Sequence, residues 1–288
     1  MPDLHRIITR DGAELHARWW GSGPPVVFIH GWAAQSDIWQ YQTASLSDVA
    51  RCIVYDKRGH GRSSDPGCGF DYDSLADDLA RVLEALDVRD AVLVGHSMGP
   101  AEIVRYLQRH GSGRVSSVVL ISSALPFILK TNDNPGGIDA TIFADRRAGW
   151  TRDMPNFLAQ NARSILLPTT TNETVAWIAR MGEAASLPAL MAMNHTITET
   201  DLRPDTAAVS VPTLVIHGDA DKSAPLDLTG KRVAAMIAGS ELCVYDGAPH
   251  ALIVTHASRL NDDLRDWIGR HMGPRTPNPI ECVRGRSR

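Results

Sequence analysis

The sequence predicts an α/β protein built on a mostly parallel sheet flanked by helices. Three observations lead there. Short apolar runs at 26–29, 52–55, 91–94, 118–121 and 213–216 alternate with segments of helical period. One run leads into Gly95-His96-Ser97-Met98-Gly99, which a helical segment at 101–110 follows. Polar loops bearing histidine or aspartate follow the runs at 30–32, 217–221 and 247–250. Strands separated by helices imply right-handed crossovers in one sheet. Loops at the carboxyl ends of such strands share a rim, so residues far apart in sequence can meet there.

In chain order, residues 4–9 and 14–19 flank Asp11-Gly12, the signal of a two-residue type I′ hairpin. Gly21-Ser22-Gly23-Pro24-Pro25 then breaks the chain. The run Val26–Ile29 lacks alternation, as a strand buried on both faces should. Cys52–Tyr55 is a second such strand, ending in the glycine-rich turn 56–64. Leu75, Leu79, Val82, Leu83 and Leu86 fall on one helical face over 74–87. The helix after Ser97 should stop at Gly111, and 118–121 is the next strand. From 124 to 205 the strand–helix alternation lapses. Helical segments near 139–150, 153–166, 172–180 and 186–193 read as a cap inserted between core strands. Alternation returns with strand 213–216, helix 226–237, strand 241–245 and helix 257–270. The expected organisation is a core of 1–123 and 206–272, a helical cap over 124–205 and a disordered tail at 273–288.

Composition narrows the function. The 288 residues carry 29 basic and 33 acidic side chains, so no basic face suggests nucleic acid. The start, Met1-Pro2-Asp3-Leu4-His5, lacks the form of a signal peptide, and no apolar run approaches membrane-spanning length. Four scattered cysteines lack zinc-site spacing; Cys52 and Cys243, in strands, read as buried free thiols. These features predict a cytoplasmic, metal-free protein with a small-molecule partner, no nucleic acid and no membrane. Association with further copies of the chain is left open.

The glycine-flanked serine sits in the setting of a nucleophile elbow, a strained turn from strand to helix that lifts Oγ above the sheet. A serine hydroxyl is a poor nucleophile near neutral pH and needs an oriented base. In this architecture the order is serine, acid, histidine. His250, in Gly247-Ala248-Pro249-His250 between the last strand and last helix, is the expected base. His195 falls in the cap, His217 at a strand end and His256 near the final helix. Asp219 and Asp221 compete for the acid on one loop. Asp221 lies deeper in it, but spacing does not separate them. A developing oxyanion needs two amide donors, and losing one costs on the order of 3 kcal/mol. Met98 should supply one and Trp32 the other, with the Trp32 indole walling the acyl pocket. The turn at 56–63 lacks both nucleotide-binding glycine patterns and reads as structural, with Arg58 and Asp56 pairing or capping there.

These stretches together resemble the α/β-hydrolase superfamily. Within it they are most similar to the cofactor-free bacterial arylesterases and non-haem chloroperoxidases, or perhydrolases. The resemblance rests on His30-Gly31-Trp32, Asp56 to Ser63, Gly95 to Gly99, Ala101 to Val115, Glu199 to Asp205, Pro212 to Asp221 and Ala248 through Leu260. It implies an α/β-hydrolase fold with no cofactor and a triad of Ser97, Asp221 and His250, selecting Asp221 over Asp219. It also implies an oxyanion hole at Trp32 and Met98. The implied activity is hydrolysis of small aryl and alkyl esters. Peroxide can replace water in a side reaction, giving peracid and then hypohalite. Lactonase, amidase and ligand-sensing receptor functions use the same fold. Three positions depart from the pattern. Ala33 stands where many perhydrolases have proline, Pro100 replaces a usual glycine, and Ser223-Ala224 replace a bulky apolar pair. A proline is tolerable in a first helical turn; the small pair predicts a roomier or more polar pocket. By position, Leu125, Phe143, Phe157 and Ile197 are its expected lining.

Overall fold

The computed structural model describes residues 5–272; the tail expected at 273–288 lies outside them. The strands are β1 (His5–Ile8), β2 (Glu14–Trp20), β3 (Pro25–Ile29), β4 (Arg51–Tyr55), β5 (Ala91–His96), β6 (Val115–Ile121), β7 (Thr213–Gly218) and β8 (Glu241–Tyr245). They form one eight-stranded sheet in the order β1-β2-β4-β3-β5-β6-β7-β8. The β1–β2 and β2–β4 pairs are antiparallel; the other neighbours pair in parallel. Helix α1 (Gln40–Leu46) precedes β4, α2 (Tyr72–Ala85) precedes β5, and α3 (Gly99–His110) follows it. Four helices, α4 (Ala140–Trp150), α5 (Met154–Ser164), α6 (Asn172–Glu183) and α7 (Leu187–Glu199), lie between β6 and β7, followed by short α8 (Arg203–Ala207). Then come α9 (Gly230–Met236), α10 (Leu252–Thr255) and α11 (Ala257–His271).

The unalternated apolar strands are explained by burial on both faces. Val27 and Ile29 of β3, with Leu93 of β5, pack toward α2 and α3. Val26 and Phe28, with Val92 and Val94, pack the other way toward α1 and α11. Leu75, Leu79, Val82 and Leu83 form the buried stripe of α2. Each such side chain stabilises by roughly 1.5–3 kcal/mol through burial. Asp71 starts α2 by accepting from Ser74 N at 2.8 Å. Gly111 ends α3 with φ +72° and donates its N–H to Leu107 O at 2.9 Å.

Four local expectations differ from the structure. In the β1–β2 hairpin only Gly12 has positive φ, +88°; Asp11 does not. Gly12 N donates to Thr9 O and Thr9 N to Ala13 O, closing a three-residue loop instead of a type I′ turn. The helix expected at 226–237 begins only at Gly230, because residues after Pro225 close tight turns onto its carbonyl. Arg58 does not pair with Asp56: it binds Asp78 at 2.6 and 2.7 Å and Asp11 at 2.7 Å. Asp56 instead accepts from the amides of Ser36 and Arg62. Cys52 is buried, its thiol pushed up to about 12 by that burial, whereas Cys243 is only half-buried.

Among the described residues, no helix is long and apolar enough to cross a membrane. No group of three or more metal-ligating side chains among them is placed to hold an ion.

Candidate active site

The site is built on the carboxyl ends of β3, β5 and β7 and the loop after β8. β5 is buried along its whole length and ends at His96. Ser97 follows with φ +60°, a left-handed conformation that non-glycine residues rarely adopt. Its N–H donates to Ile121 O at 2.9 Å, and its carbonyl accepts from Ala124 N at 3.2 Å, so the end of β6 and the loop after it hold both sides of the strained residue. The flanking glycines are required by close approach. A Cβ on Gly95 would lie 2.6 Å from Pro100 N, and one on Gly99 2.4 Å from Ile29 O. Pro100 occupies the first turn of α3, where its missing N–H leaves no helical bond unmade.

Three distant side chains meet at Ser97. His250 Nε2 lies 2.9 Å from Ser97 Oγ, and its Nδ1 2.7 Å from Asp221 Oδ2. Asp221 Oδ1 accepts from the amides of Ser223 and Ala224, both at 2.9 Å. Burial alone would raise the Asp221 carboxyl. His250, the side chain of His217 and the Ala224 amide outweigh it and hold the carboxyl well below the usual range. Asp221 is therefore a carboxylate, so His250 Nδ1 carries the proton it donates and Nε2 is left to accept from Ser97. Asp219, the competing acid, is exposed and accepts from Gly247 N at 2.7 Å, away from His250.

Three further histidines brace this arrangement. His217 Nε2 donates to Ala224 O at 2.7 Å and stands 3.4 Å from Asp221 Oδ2. His96 Nε2 donates to the backbone carbonyl of His250 at 2.9 Å. Burial, then the neighbouring His250, lowers His96 to about 3, so it stays neutral. His30 is also fully buried, and burial with Lys57 behind it keeps it neutral. Lys57 N donates to His30 Nε2 at 3.0 Å, which leaves His30 Nδ1–H to donate to Gly31 O at 2.8 Å. The Gly31 carbonyl and the Trp32 N–H share one peptide plane, so this bond fixes the direction in which Trp32 N–H points. Gly31 must be glycine: a Cβ there would come within 2.8 Å of Ser97 Cβ and 3.3 Å of its Oγ. Among the described residues, no protein acceptor takes the N–H of Trp32 or of Met98.

Beneath the elbow, Lys57 Nζ and Tyr55 OH both bind Glu102 in the first turn of α3. Burial works to lower the Lys57 ammonium, and the Glu102 carboxylate opposes it. This buried pair ties the end of β4 to the helix that carries the elbow.

A cavity opens in front of Ser97, between the sheet rim and helices α4–α7. Phe143, Phe157 and Ile197 line it as expected from their positions, and so does Trp32. Trp32 Nε1 donates to Leu190 O of α7 at 2.8 Å, and its ring packs 4.7 Å from Trp150 and 6.4 Å from Phe157. Leu125 does not line the cavity. It is 1% exposed and packs into the core on the α2–α3 side of the sheet. Ile128, a turn further on, takes a place in the wall. Arg146, Asn161, Asn194 and Thr198 also line it, and the sequence carried no signal for them. The small pair Ser223-Ala224 lies on the wall as well.

A profile of the alpha/beta hydrolase fold family matches residues 24–257. The chain is an α/β hydrolase. It is 37% identical over 273 residues to the non-heme chloroperoxidase CPO-A1 of Kitasatospora aureofaciens, covering 91% of this chain and 98% of that one. Identity is 33% to the bifunctional esterase/perhydrolase DCH of Acinetobacter calcoaceticus, with the same coverage. Among solved structures, the bromoperoxidase of Bacillus anthracis superposes with a TM-score of 0.89 at 30% identity, over 93% of this chain and 99% of that one. This α/β hydrolase is an esterase-type enzyme of that group.

Proposed function

We propose that the protein is a serine carboxylic-ester hydrolase for small aryl and alkyl esters, working through an acyl-enzyme on Ser97. The observation that carries this reading is the unbroken chain from Ser97 Oγ through His250 to Asp221, with Oγ at the floor of a cavity. His250 Nε2 takes the hydroxyl proton as Oγ attacks the acyl carbon. The amides of Trp32 and Met98 receive the oxyanion, Met98 from the N-terminus of α3, where the helix favours negative charge. The intermediate collapses, and the leaving alcohol takes the proton from His250. Water then gives its proton to His250 and attacks the acyl carbon, releasing the acid and restoring Ser97. Asp221 holds the imidazole tautomer and favours the imidazolium formed in each half-reaction. Helices α4–α7 act as a cap that shields these steps from bulk water.

The test is turnover of p-nitrophenyl acetate and butyrate, with the quenched enzyme examined by mass spectrometry for an acyl adduct. Turnover and a Ser97-linked acyl group are expected in the wild type and absent in Ser97→Ala. Undiminished turnover in Ser97→Ala would end the proposal.

A second reading is supported by the names of the relatives. In it, hydrogen peroxide attacks the acyl-enzyme in place of water, giving a peracid that oxidises halide to hypohalite. Ala33, where many perhydrolases carry proline, bears against this route. Bromination of monochlorodimedone with acetate, bromide and peroxide measures it directly.

A further inference from the structure

The cavity wall carries one uncompensated charge. Its ionisable lining side chains are His96, His250 and Arg146, and no Asp or Glu is among them. Arg146 lies on α4 between Phe143 and Trp150, three and four residues away, so one helical face presents all three to the cavity. Phe143 and Trp150 are buried, whereas Arg146 remains exposed, which places it at the mouth. Among the described residues, no carboxylate lies within ion-pair distance of Arg146. Its neighbour Arg147 has a different task. Arg147 Nη1 donates to Asn194 Oδ1 at 3.0 Å and approaches Thr198 Oγ1 at 3.5 Å, clipping α4 to α7. Arginine can only donate, so the Asn194 oxygen must face it, and the Asn194 NH2 remains a donor on the cavity wall. The opening thus combines a free guanidinium with an amide donor above a chamber whose walls are mostly apolar side chains.

We propose that this cavity selects esters bearing a carboxylate remote from the scissile bond, such as half-esters of short dicarboxylic acids, with Arg146 binding the free carboxylate. The proposal rests on the esterase reading above and assigns its substrate class. A guanidinium matches a carboxylate with two parallel hydrogen bonds, while the aliphatic spacer between the two ends of the substrate crosses the apolar wall. The small Ser223-Ala224 pair leaves room for such a spacer beside the triad. Because Arg146 is exposed, its contribution is modest and screened by salt.

The experiment compares monomethyl and dimethyl esters of glutarate and adipate, followed by proton release. The readout is the ratio of kcat/KM for the half-ester to that for the neutral diester. In Arg146→Gln this ratio should fall about fivefold, mostly through KM of the half-ester. Arg146→Lys should restore part of it, and high salt should lower the wild-type ratio toward that of Arg146→Gln. Arg152→Gln removes the same charge from a helix end outside the cavity wall and should leave the ratio alone. A ratio unchanged in Arg146→Gln, or one lowered equally by Arg152→Gln, overturns the subsite. If the wild type hydrolyses neither ester, it is the esterase reading that fails. Calorimetric titration of adipate monomethyl ester then decides the subsite, with weaker binding to Arg146→Gln expected and equal binding refuting it.

Discussion

The sheet rim and the α4–α7 layer are built to different standards. At the rim, His30 and Met98 are fully buried, and Asp221 and His250 are 4% and 8% exposed. The four polar partners of the Asp221 carboxylate come from three different chain segments or turns. The glycines there have no room for a methyl group. In α4, only Phe143 and Trp150 of eleven residues are buried. Trp150 of α4 packs on Trp32, while α5–α7 anchor the layer by burying Ala162, Ile178, Met181, Ala189 and Met193 in the two core clusters. Chemistry that depends on angstrom-scale placement sits on the rigid part. The outer wall of the cavity, on α4, sits where one surface side chain can change at little cost to stability.

If that division holds, rim substitutions should destroy rate and wall substitutions should redistribute it. The largest effect belongs to Ser97→Ala and His250→Ala, each expected to lower kcat on p-nitrophenyl acetate by on the order of 10⁴-fold or more. The double variant should be scarcely worse than either single one, because the two residues act as a unit. Asp221→Asn comes next, at roughly 10⁴-fold, since an amide favours the wrong imidazole tautomer. Asp219→Asn, which touches only the Gly247 amide, should stay within about twofold of wild type by the same assay. The reverse ranking of the two aspartates would remove Asp221 from the mechanism.

His30 probes the rim at one remove. It touches no reacting atom and acts through the Gly31–Trp32 peptide. His30→Ala should lower kcat by roughly 10²-fold, approaching the loss of one oxyanion donor, with KM changed little. The Lys57 amide would also lose its acceptor inside the protein, at about 1–3 kcal/mol of stability in urea unfolding. A purely structural His30 would show the second effect without the first.

The same contrast explains what could be read from the chain. Ser97 and His250 were legible because motif, chain order and loop position are one-dimensional signals. Asp221 was separated from Asp219 by resemblance; spacing alone left both open, since alternate residues of a loop can face either way. The strands were legible because burial on both faces writes an unbroken apolar run. The partners of Arg58, at Asp11 and Asp78, were not, because they arrive from a hairpin and a helix that only tertiary packing brings together. Leu125 was misplaced for a related reason. It is apolar and close to the elbow, but whether it faces the core or the cavity depends on the turn that its Ser123 contact closes. Arg146 and Asn194 were invisible as site residues, being ordinary polar positions on helices until those helices are laid across the rim.

The smallest effect is on stability. Burial, the leading cause in each case, keeps His96 and His60 neutral in the folded protein, with values lowered to about 3 and about 4. Unfolded, both would titrate near 6.5. Between those limits the unfolded chain binds more protons than the folded one, so stability rises with pH and is lost as pH falls below about 6.5. Each histidine contributes a slope of up to about 1.4 kcal/mol per pH unit in that window. Urea unfolding from pH 7 to pH 4.5 should therefore show steep acid destabilisation, and His60→Gln should make it shallower by about one histidine's share. A slope left unchanged by His60→Gln would mean that this buried histidine does not carry the pH dependence.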